Sequence, residues 1–156
     1  MVVSNRWILP DGVVDVLPAQ AQLLEAIRGR MLKLFDSWGY DLVIPPMLEF
    51  TDSLHSAAGE DLELLTFRTV DPLSGKTMGV RPDITPQIAR IDAHSLRREG
   101  PARLCYAGTV LHTRARDVLS SRTPISIGLE LFGETSISAD IEVVRLFLKS
   151  LAINNI

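Results

Sequence analysis

Two apolar runs of eight residues, Leu104 to Leu111 and Ile125 to Phe132, flank a polar loop, and each carries the β-branched and aromatic residues that favour strands. Extended backbone buried on an apolar run must find partners for its amide and carbonyl groups, so this pair constrains the fold more than any other feature. A shorter pair, Thr66 to Asp71 and Lys76 to Val80, flanks Pro72-Leu73-Ser74-Gly75, where Pro and Gly supply turn geometry; a hairpin follows. A third run, Leu42 to Ile44, stops at Pro45 and Pro46, which donate no ladder hydrogen bond and belong at a strand end or edge.

Helical spacing separates these strands. Pro18 suits a first turn, and Leu23, Ile27, Met31, Leu34 and Trp38 then recur on one side before Gly39. Thr85 reads as a cap before Pro86, with Ile84, Ile88, Ile91 and Ser95 along one face of a helix from about Pro86 to Arg98. Ser138 reads as the cap of a last helix, with Asp140 and Glu142 in its first turn and Ile141, Val144, Leu148 and Leu151 as its apolar face. Hairpins among helices, without regular strand and helix alternation, predict an α+β fold in which an antiparallel sheet is flanked by helices.

The chain has 156 residues, 46% hydrophobic and 22% charged, enough for one core. A net charge of −3 and scattered arginines offer nucleic acid no bulk attraction. No apolar run approaches membrane-spanning length, and MVVSNRWILPDG lacks the long apolar core of a signal peptide. A lone Cys105 in an apolar strand excludes a disulfide framework and fits a reducing cytoplasm, while His55, His94 and His112 show no metal-ligand spacing. Neither a metal nor a cofactor is expected. Gly75-Lys76-Thr77 has the tail of a phosphate loop but Val70 at the required upstream Gly and a strand after it, so it reads as a hairpin turn. Trp7 to Leu17 is an arm that either covers a partner or packs on its own domain.

Three segments, in order and spacing, resemble class II aminoacyl-tRNA synthetases of the histidyl type. Tyr40 to Phe50, YDLVIPPMLEF, looks like the strand closing motif 1, with Pro46 at the dimer-forming position. Val80 to Arg90, VRPDITPQIAR, resembles the RPEGT segment, with Asp83 in place of Glu and Thr85 retained. Arg103 to Gly133 matches motif 2 at Tyr106, Gly108, Gly128, Glu130, Phe132 and Gly133. It puts His112 on the ATP-binding Arg and Arg114 on the Glu, and Ser126 stands where the histidyl enzyme has Gln. Arg makes two parallel charge-assisted bonds to phosphate and stays protonated, whereas His is largely neutral near pH 7.

A chain with this scaffold and without that pair resembles the ATP phosphoribosyltransferase regulatory subunits. The resemblance implies a class II synthetase-like domain, of which residues 1–156 would be the amino-terminal part. It also implies a non-catalytic subunit that joins a short-form ATP phosphoribosyltransferase catalytic subunit, permits the first step of histidine biosynthesis and contributes to feedback inhibition by histidine. Self-association is expected with it. Asp83, Thr85, Ser126 and Glu130 become the candidate histidine site, since carboxylates and a hydroxyl grip an ammonium group; Asp83 and Thr85 could equally cap the helix, or do both. Arg114, Arg116 and Arg122 lie in a loop open to an anion, an acidic partner surface or solvent alone. The alternatives are a divergent histidyl-tRNA synthetase and a synthetase-like module that binds RNA or protein.

Overall fold

Pro18 occupies the start of α1 (Pro18–Asp36), where its missing N–H costs nothing and its fixed φ suits the first turn. The computed structural model describes residues 7–54, 60–115 and 120–156. Beyond α1 the elements run β1 (Asp41–Leu42), β2 (Leu48–Phe50), α2 (Thr51–Leu54), α3 (Glu60–Leu65), β3 (Phe67–Val70), β4 (Thr77–Val80) and α4 (Thr85–Arg90). A π-helical turn (Ile91–Leu96) continues α4, and β5 (Ala102–Thr109), β6 (Ile125–Phe132) and α5 (Ile137–Ala152) complete the order.

The long pair of apolar runs becomes an antiparallel ladder, registered from Ala102 opposite Phe132 to Thr109 opposite Ile125. On its other side β5 pairs with β1 in parallel, Asp41 beside Leu104, so the sheet β1-β5-β6 is mixed. The expected α+β class holds, with this one parallel pair added to the antiparallel scheme. A second sheet, β2-β4-β3, is antiparallel throughout and contains the hairpin expected around Pro72 to Gly75.

β5 is buried on both faces, and the period-2 alternation of its side chains builds two cores. Leu104, Tyr106 and Val110 pack with Ile84 and Ile88 of the α4 layer. Cys105, turned the opposite way, packs with Phe35 of α1, with Tyr40 just before β1 and with Leu146 of α5. Helices therefore cover both faces of the mixed sheet. Of the α1 stripe, Met31, Leu34 and Trp38 pack against the second core, while Leu23 is 58% exposed.

Three local expectations are corrected. The helix after Thr85 is α-helical only to Arg90; its π turn shifts the register, so Leu96 and not Ser95 reaches the core. The cap of α5 is Ser136, not Ser138, and its hydroxyl makes no capping bond. The buried face of α5 is Ala139, Leu146 and Ser150, whereas Ile141, Val144 and Leu148 are exposed. The cause is Glu142, which is drawn inward to accept from Arg103 Nε and Nη2 at 2.7 and 2.8 Å and from Tyr40 Oη at 2.9 Å. That paired charge sets the rotation of a helix whose apolar residues nearly surround it.

Candidate functional site

Between β4 and α4 the chain turns through Arg81-Pro82-Asp83-Ile84-Thr85, and this turn forms one wall of a cavity of about 470 Å³. Asp83, Thr85, Tyr106, His112 and Ser126 line it, together with Ser121 from the loop before β6. Asp83 Oδ1 accepts the Ile84 and Thr85 amides at 2.6 and 3.2 Å, satisfying donors at the start of α4. The capping expected of Thr85 is thus done by Asp83.

Thr85 is engaged elsewhere. Its hydroxyl donates to Glu130 Oε1 at 3.0 Å and lies 3.1 Å from Tyr106 Oη. Since the Thr85 proton goes to the carboxylate, Tyr106 must donate to Thr85, and a directed chain runs from Tyr106 through Thr85 to Glu130. Burial raises the Glu130 pKa, helped by the charge of Asp83 and opposed by the Thr85 bond. Burial likewise raises that of Tyr106. Glu130 does not line the cavity; it stands behind Thr85 and fixes that hydroxyl.

Tyr106 was not singled out as a polar site residue by its sequence context, although a signal exists. It sits directly opposite Gly128, and a Cβ at Gly128 would lie 2.4 Å from Tyr106 Oη. A glycine inside a strand marks such a close approach.

The cations sit apart from this acidic set. Arg81, only 5% exposed, donates Nε to Thr109 O at 3.0 Å and Nη1 to Pro45 O at 2.8 Å, tying the strand end at Pro45 to β5. Arg114 is exposed and outside the cavity lining. Arg122 donates Nε to His112 O at 3.0 Å and Nη1 to Asp11 O at 3.1 Å, and stacks over Phe67 with 5.1 Å to the ring centroid. Two of its donors thus serve backbone carbonyls and hold the amino-terminal arm. Arg116 lies outside the described residues. His112 is 5% exposed, with Nε2 2.9 Å from Pro82 O. Among the described residues no three His, Cys, Asp or Glu side chains come together as a metal site, and no helix is long and apolar enough to cross a membrane.

The sequence profile described as Histidyl-tRNA synthetase matches residues 12–156, nearly the whole chain. The chain belongs to the histidyl-tRNA synthetase family. Within this family it is 57% identical over 151 residues to the ATP phosphoribosyltransferase regulatory subunit of Stutzerimonas stutzeri, covering 97% of this chain and 38% of that protein. The subunit of the same name from Saccharophagus degradans is 60% identical over 147 residues, 94% of this chain and 37% of that protein. Among solved structures, an ATP phosphoribosyltransferase regulatory subunit/histidyl-tRNA synthetase from Bacillus halodurans superposes with a TM-score of 0.84 at 31% identity, over 97% of this chain and 39% of that one. A histidine–tRNA ligase subunit from Alicyclobacillus acidocaldarius gives 0.77 at 27% identity, over 93% and 41%. The chain therefore spans about two fifths of the length of the relatives it matches. Their histidyl-synthetase-like fold, mixed sheets flanked by helices, is the fold found in this member of the family.

Proposed function

We propose that this chain belongs to a non-catalytic regulatory subunit, required for ATP phosphoribosyltransferase activity in the first step of histidine biosynthesis and responsive to histidine. The observation that carries the reading is His112. At the position where the resemblance puts the ATP-binding Arg there is a buried ring bonded to a backbone carbonyl, and the Arg114 position that should carry Glu is an exposed cation. Removing one charged contact to a developing transition state costs on the order of a hundredfold in rate, and here both positions differ. The names of relatives at 52–60% identity support the same role.

Histidine would be held at the Asp83 and Thr85 wall. Asp83 and Glu130 give that side of the cavity a negative field, and Arg81 spends two of its donors on carbonyls away from it, which suits an ammonium group and opposes a triphosphate. Ser126 would contribute a hydroxyl to the ligand. In the complex, bound histidine would shift a cytoplasmic hetero-oligomer with the short-form catalytic subunit towards its less active state. Self-association would use the apolar strip around Pro46, where Ile44, Met47, Leu48 and Phe50 are 41–77% exposed.

The test is histidine-dependent exchange of pyrophosphate into ATP by the full-length protein, beside a histidine titration of the assembled complex. The expected outcome is no exchange and a fall in complex activity as histidine rises. Robust exchange would instead identify a divergent histidyl-tRNA synthetase.

A further inference from the structure

We infer that His112 is a positioning residue for the ammonium-binding group of the cavity, acting on Asp83 through the Pro82 peptide; this rests on the proposed amino-acid site. The Pro82 carbonyl can only accept, so the ring carries a proton on Nε2 and donates it across 2.9 Å. That carbonyl shares one rigid plane with the Asp83 amide, and Pro82 has a fixed φ, so holding the oxygen sets the direction in which the chain enters Asp83. One residue earlier, Leu111 N donates to Arg81 O at 3.1 Å, so two consecutive residues after β5 pin two consecutive residues of the turn. Asp83 then has Oδ1 fixed by the Ile84 and Thr85 amides.

The ring is itself held from behind. His112 N donates to Arg122 O at 2.8 Å while Arg122 Nε returns a bond to His112 O at 3.0 Å. Arg122 N in turn donates to Gly12 O at 2.8 Å, and Gly12, at φ +74°, leaves room that a Cβ would take from Arg122 at 2.9 Å. A continuous set of bonds therefore runs from the arm through Arg122 and His112 to Pro82, and it ends one residue from a carboxylate facing the cavity. Where the resemblance puts a phosphate ligand, this chain has a fastener for the amine side of the site.

Titration calorimetry of the full-length protein with L-histidine decides this, using H112F, which keeps a ring and removes the donor, and H112Q, whose amide nitrogen replaces Nε2. Losing one buried donor predicts roughly tenfold weaker histidine binding in H112F, with H112Q returning to within about threefold of the parent, each measured well below its thermal midpoint. In a D83N background the same H112F change should cost less than about twofold, because the group it positions is gone. Undiminished affinity in H112F, or no rescue by H112Q, would overturn the inference, as would a full additive loss in D83N. Should D83N abolish measurable binding, the H112F and H112Q pair decides alone. A parent protein that binds no histidine fails at the proposed site itself, before any substitution, and takes this inference with it.

Discussion

Gly128 and Tyr106 show how one residue's absence of a side chain makes room for another's chemistry. The tyrosine ring lies over the strand opposite it, and its hydroxyl reaches Thr85 only because Gly128 has no Cβ. G128A should therefore lower stability by about 1–3 kcal/mol, as overpacking does, read as a shift in urea midpoint at unchanged slope. Glu130 gives a pH signature. Its folded pKa is raised by burial, so the native state keeps a proton over a range where the unfolded chain has lost it, and stability falls as pH rises through that range. The stability of the parent minus that of E130Q should thus decline from the ordinary carboxylate range upward; a difference that is flat or grows with pH would refute the assigned burial. Asp83, Thr85 and Ser126 were expected from the sequence to lie together, and they line one cavity. The linkage of His112 to Pro82 and of Arg122 to the arm was not, because both depend on backbone carbonyls brought together from distant segments, which side-chain identity does not encode.

The hardest element to read was α5. Its sequence, ISADIEVVRLFLKSLA, offers apolar residues on more than one face, so helical periodicity cannot rank them; Glu142 does, by binding Arg103 and Tyr40 beneath the helix. The pairing also pulls the Glu142 pKa down, chiefly through its bonds from Arg103. Replacing Glu142 with Ala should cost about 1.5–3 kcal/mol, the range for a hydrogen bond to a charged group, and should raise hydrogen exchange in α5 more than in α4. Equal protection in both helices would contradict that role. The β5 and β6 ladder was the most legible element, since two long apolar runs with an intervening polar loop admit few other pairings, and its register extends over all eight positions. The parallel β1 strand, two residues long, left too short a signal to reveal its direction.

Across the whole molecule, one strand buried on both faces separates a helical layer that carries the cavity from one that carries α1 and α5. The cavity side carries Asp83 and Thr85 in its wall, while His112 is a buried ring tethered to Pro82 O and Arg114 is exposed. The role proposed for it is to sense an amino acid on behalf of another protein, not to activate one. Its most direct test is to add the full-length protein to a purified short-form ATP phosphoribosyltransferase catalytic subunit and follow phosphoribosyl-ATP formation. Turnover should appear, or rise strongly, as the protein is titrated to saturation, and fall again when histidine is added. Turnover unaffected by the protein, together with charging of tRNA by histidine, would contradict it.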